Sequence, residues 1–99
     1  MRIYLVRSGG FAGIPLTVTI DSATLSMEEA VELLEMVESA NFFNLPPLIS
    51  AREPGADRFQ YKVIIEREGK QHSVEIQEAA IPPTLRPLLQ WLTAAALKR

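Results

Sequence analysis

The stretch RFQYKVIIEREGKQHSVEIQ, residues 58–77, holds two alternating runs on either side of one glycine. Phe59, Tyr61, Val63 and Ile65 fall on one side of the first run, and His72, Val74 and Ile76 on one side of the second. A period of two belongs to a strand with one buried face. The sequence EREGK around Gly69 reads as a tight turn, so the stretch is predicted to be a β-hairpin.

Upstream, PLTVTID alternates in the same way, with Leu16, Val18 and Ile20 against Thr17, Thr19 and Asp21. A short β-rich run, Arg2–Arg7, precedes it, and RSGGFAG (Arg7–Gly13) joins the two into a second hairpin with a long glycine-rich loop. A helix is predicted between the hairpins. Ser26 and Glu29 form a capping box, in which each side chain satisfies the other's free backbone N–H. Met27, Ala30, Val31, Leu34 and Val37 recur at helical spacing and are expected to face the core, with Glu28, Glu29, Glu32, Glu35 and Glu38 mainly opposite. Asn41 is expected to end the helix, with Phe42 and Phe43 anchoring its exit.

The segment NLPPLISAREPGAD, Asn44–Asp57, is irregular, because Pro46-Pro47 and Pro54-Gly55 rule out a continuous helix or strand. Leu48 and Ile49 remain free to pack inward. Pro82-Pro83 closes the second hairpin, Thr84 is expected to cap a last helix, and Pro87 sits in its first turn. Leu85, Leu88, Leu89 and Leu92 form the apolar stripe of that helix, with Trp91 beside it.

The order ββαββα implies an α+β domain spanning residues 1–99, with a four-stranded antiparallel sheet and both helices on one face. If successive elements alternate in direction, the connections Ser8–Ile14, Asn44–Asp57 and Glu78–Thr84 share one end. The Ser22–Leu25 link and the Glu68–Gly69 turn then share the other.

Composition narrows the function. With 99 residues, 47% hydrophobic and 22% charged, the chain has the balance of a globular domain with one core. The net charge is −2, and the six acidic residues between Ser8 and Ala51 meet no Lys or Arg there. This acidic helix face reads as solvated surface. There is no cysteine, so thiolate and disulfide chemistry are absent. The N-terminus lacks the apolar run and cleavage-like site of a signal peptide, and no run reaches the length of a membrane span, so a cytoplasmic protein without a membrane partner is expected.

Specific chemistries fail one by one. The glycine loop has no lysine, the wrong spacing, and a strand after it, so it is no phosphate cradle. His72 is the single histidine and lies on the inward strand face, which makes it a packed or partly exposed imidazole, not a ligand; no cofactor and no protein-built metal site are expected. No Ser-His-Asp spacing suggests a nucleophile, so no enzyme is expected. The strand aromatics point to the core and the basic residues are mixed with acidic ones, which speaks against nucleic acid. What remains is a binding module that works through its loops, expected as a monomer. Phe11, at the tip of the first loop, either stands out from it or folds back to plug the sheet end.

Three blocks carry a family resemblance: RSGGFAGI near the start, DRFQYKV in the third strand and RPLLQWL in the last helix. Their order and spacing from Met1 to Leu92 resemble the emfourin family, small bacterial protein inhibitors of protealysin-like metallopeptidases of the thermolysin type. The resemblance implies an inhibitor that occludes a peptidase's active-site cleft, with the zinc supplied by the target. It does not assign contact residues. Combined with the predicted topology, it points to Ser8, Gly9, Gly10, Phe11, Ala12 and Gly13 of the first loop, with Leu48, Ile49, Glu53 and Asp57 of the second irregular segment. Phe11 and Leu48 or Ile49 are the pocket fillers that a taste for bulky apolar residues implies. A backbone carbonyl, or the carboxylate of Asp57 or Glu53, is left to approach the target's zinc. The competing reading is an adaptor that binds through its sheet face or the acidic helix 26–40.

Overall fold

The alternating runs form strands, and the strands form one sheet. In a computed structural model that describes residues 1–10, 14–50 and 59–98, β1 (Arg2–Gly9) pairs antiparallel with β2 (Leu16–Asp21) on one side and with β4 (Phe59–Arg67) on the other. β4 pairs antiparallel with β5 (Lys70–Gln77). The inward residues Ile3, Leu5, Val18, Ile20, Val63, Ile65, Val74 and Ile76 are all buried, as their alternation predicts. Both helices, α1 (Met27–Ser39) and α2 (Arg86–Leu97), pack on this face and join its side chains in a single core cluster.

The α+β architecture therefore holds, but the sheet has five strands, not four, and it is mixed. Leu48–Ile49 forms a short β3 that runs parallel to β5, with Leu48 opposite Glu75 and Ile49 opposite Ile76, giving the order β2-β1-β4-β5-β3. The element order is thus not ββαββα. The proline pair that excludes a helix does not exclude an edge strand. Pro47 lacks a donor but still accepts, and its carbonyl takes the Glu75 amide at 2.8 Å.

The turns follow their chemistry. The β4–β5 hairpin closes on Glu68 and Gly69 with φ of 52° and 78°, the two positive values that a type I′ turn needs. Asn41 ends α1 in the left-handed region at φ 51°, and Phe42 behind it is buried. His72 packs edge-on to Phe42 and its Nε2 lies 2.7 Å from the Leu45 carbonyl. A carbonyl can only accept, so Nε2 carries the proton and the ring ties β5 to the exit of α1.

Three local expectations are corrected. The Ser26 hydroxyl accepts from the Glu29 amide at 3.2 Å, but the Glu29 carboxylate takes the Ser26 hydroxyl at 3.1 Å, so only half of the capping box is made. Thr84 does not cap α2. Leu85 holds the cap position with no side-chain bond, and the Pro82 carbonyl accepts from the amides of both Leu85 and Arg86. The buried stripe of α1 is rotated: Leu33, Val37 and Ala40 are buried, whereas Met27 and Val31 are 83% and 50% exposed. Adjacent leucines at 33 and 34 allow either phase from spacing alone, and packing against α2 selects Leu33. The five glutamates of α1 are exposed, and Glu38 meets Arg67 at 3.4 Å.

The rotated stripe makes an opposed pair of predictions for chemical denaturation. Leu33→Ala is expected to lower stability by about 2–5 kcal/mol, as a buried leucine truncation does. Met27→Ala is expected to change it by less than about 0.5 kcal/mol. Equal losses would put Met27 back in the core.

Candidate functional site

Register places the three irregular connections at one end. Gly9 of β1 lies opposite Phe59 at the start of β4, Gln60 lies opposite Gln77 at the end of β5, and Ile49 ends β3 beside Ile76. The first connection leaves from Gly9, the second returns at Phe59, and the third begins at Glu78. The Ser22–Thr24 turn and the Glu68–Gly69 turn sit at the opposite end, where Arg2 faces both Asp21 and Glu66. Within each hairpin the strands alternate in direction as the element order implied, whereas β3 runs parallel to β5.

The chemistry of this end is built around Phe59. Its amide donates to the Glu78 carboxylate at 2.9 Å, just beyond the last β4–β5 ladder pair. The Arg7 guanidinium lies over its ring, 4.2 Å from the centroid, in cation–π geometry. Gly10 lies against the edge of the same ring. A Cβ at position 10 would stand 2.7 Å from Phe59 Cε1, and Gly10 also takes a φ of 74°, so both space and backbone require glycine there.

Next to Phe59 on the inward face, half-buried Tyr61 lies directly opposite Arg7. Tyr61, Glu78, Ile81 and Arg86 line a groove of about 380 Å³ that runs along α2. Burial first, then the Glu78 carboxylate, push the Tyr61 hydroxyl above its ordinary value of 10.0; the nearby Arg7 and Arg86 guanidiniums pull it down less strongly.

The expected site residues divide. Ser8 and Leu48 come from separate segments, yet both line one groove of about 310 Å³ on the open sheet face, together with Val6, Lys62 and Glu75. Leu48 is 55% exposed, while Ile49 is half-buried and packs on the core, as alternation across two consecutive residues requires. Of the two, Leu48 offers apolar surface. Gly9 is exposed and Gly10 is half-buried. Phe11, Ala12, Gly13, Glu53 and Asp57 lie outside the described residues.

Arg7, Phe59, Tyr61, Glu78 and Arg86 were not among the residues expected to form a site. Four of them belong to the three sequence blocks that carry the family resemblance, and these blocks open onto this one end. Periodicity assigns Phe59 and Tyr61 to the core and does not distinguish a strand's middle from its end. Among the described residues, no three His, Cys, Asp or Glu side chains gather to hold a metal ion, and no helix is long and apolar enough to cross a membrane.

The Tyr61 environment has a consequence at alkaline pH. With the folded-state value raised, the unfolded chain loses this proton first, so stability is fully present below pH 10 and falls as pH rises through the folded value. Tyr61→Phe is expected to flatten that part of the stability–pH curve, measured by denaturant unfolding at successive pH values. An unchanged slope would contradict the assignment to Tyr61.

Comparison with known proteins adds to this geometry. A family model described as Emfourin matches residues 5–93. Among solved structures, the chain is similar to emfourin from Serratia proteamaculans, described as an M4 family peptidase inhibitor. The identity is 23% and the TM-score 0.50, over 94% of this chain and 87% of that one, a likeness that concerns the fold. No curated protein matches. With the family model running from within β1 to within α2, this chain belongs to the Emfourin family, a family of inhibitors, and is not an enzyme.

Proposed function

We propose that this protein inhibits a protealysin- or thermolysin-type zinc metallopeptidase by laying the loop end of its sheet over the enzyme's active-site cleft. The observation that carries the reading is the convergence of three irregular connections and all three family sequence blocks on that end. The inhibition described for the Serratia emfourin supports the choice of target class.

The mechanism is steric. A cleft built for an extended peptide accepts preorganised backbone, and loops already ordered lose little entropy on docking. Standard protease–inhibitor interfaces bury roughly 1,600 Å² in total, an extent that two or three connections at one end of a small domain can supply. In this reading Ser8–Gly13 enters the cleft, Gly9 and Gly10 allow close backbone approach, and exposed Leu48 supplies apolar contact beside Ser8. Phe11, Glu53 and Asp57 belong to the same connections by sequence, and one of the two carboxylates, or a backbone carbonyl, approaches the target's zinc. The inhibitor itself needs no metal and acts as a cytoplasmic monomer, which cell fractionation and size-exclusion chromatography test.

Mixing the protein with a protealysin-like peptidase and following cleavage of a peptide substrate tests the proposal. Strong inhibition is expected at roughly micromolar inhibitor, a binding free energy of about −8 kcal/mol or better. Leu48→Ala is expected to raise the inhibition constant about tenfold, equivalent to ~1.4 kcal/mol. Glu32→Lys with Glu35→Lys, on the exposed face of α1, is expected to leave it within about twofold. Loss of inhibition in the charge-reversed protein would favour the acidic helix as the binding surface, and no inhibition by the wild type would end the protease reading for that target.

A further inference from the structure

We infer that Phe59 is the positioning residue of the inhibitory end, a clamp that holds Gly10, at the root of the first connection, and Glu78, at the root of the third. The inference rests on the proposed inhibitory reading and deepens it. Phe59 is itself the point where the second connection returns to the sheet, so one residue touches the roots of all three.

Each hold is specific. The Phe59–Glu78 bond forms where the β4–β5 ladder has ended at Gln60 and Gln77, so the Glu78 carboxylate takes over as acceptor for an amide beyond the last strand pair. That bond is part-buried and ties the first residue of the Glu78–Ala80 turn to the start of β4. On the other side, the ring is the floor on which Gly10 rests and leaves no room for a Cβ there. Arg7, one pleat repeat before Gly9, closes the arrangement by stacking on the ring from its place opposite Tyr61. Movement of the third connection is therefore transmitted to the first through one amide and one ring.

A clamp and an interface residue differ in their kinetic signature. Truncating a side chain that touches the enzyme speeds dissociation of the complex. Releasing a clamp in the free inhibitor reduces the fraction of molecules competent to dock, which slows association in proportion. Glu78→Ala removes the acceptor, Glu78→Gln keeps an oxygen able to accept from the Phe59 amide, and Phe59→Leu keeps apolar bulk without the aromatic face under Arg7.

Inhibition kinetics of these variants against a protealysin-like peptidase, with amide NMR spectra of the free proteins, form the test. Glu78→Ala and Phe59→Leu are expected to associate about tenfold more slowly, with dissociation within about twofold of wild type. Glu78→Gln is expected to restore the wild-type rate. In free Glu78→Ala the amide resonances of Gly9 and Gly10 are expected to shift, although Glu78 lies on another connection, while those of Ile3 and Ile65 stay in place and show that the core is folded. Wild-type association in Glu78→Ala, faster dissociation as its only effect, or stationary Gly9 and Gly10 resonances would each overturn the clamp while leaving the inhibitory reading intact. A wild-type protein that slows no such peptidase would overturn both.

Discussion

The antiparallel pairing of β1 with β4 joins the two halves of the chain, running from Arg2 opposite Glu66 to Gly9 opposite Phe59. It brings an N-terminal hairpin and a C-terminal hairpin, distant in sequence, into one sheet. Because side chains alternate with a period of two, this register sets the buried face: Ile3 and Leu5 meet Ile65 and Val63, and the helices cover them. A slip by one residue would turn Tyr4, Val6, Lys62 and Ile64 inward and strand a charge in the core. The same register makes Gly9 and Phe59 neighbours, so core formation and assembly of the loop end are one event.

The two faces of the sheet then have separate duties. The inner face is apolar and carries stability. The outer face lies opposite both helices and carries charged neighbours such as Lys62 opposite Glu75. At the loop end the division is less strict. Arg7 and Tyr61 lie opposite each other on the inner face, where both are only half-buried. The half-buried Arg7 guanidinium lies over the Phe59 ring, which shelters it on one side.

Much of this was legible from local pattern. The Arg58–Gln77 alternation gives the hairpin, Asn41 gives the end of α1, and the leucine stripe of α2 is buried as its spacing implies. The failures share a cause. β3 has two residues and its support is a parallel partner distant in sequence, so nothing local announces it. The phase of α1 depends on which of two adjacent leucines meets α2. The roles of Phe59 and Glu78 depend on a bond between connections, and neither residue has a motif of its own.

Alternation, turn chemistry and the three blocks by themselves determined the α+β class, the end at which the irregular connections gather, and the family. These depend on interactions within a few residues, or on the sense of successive elements, which the order of the chain carries. Tertiary structure alone decided the fifth strand, the buried stripe of α1, and the clustering of Arg7, Phe59, Tyr61, Glu78 and Arg86. Each of these is a choice between locally equivalent alternatives, and only packing and hydrogen-bond pairing across distant segments separates them in free energy.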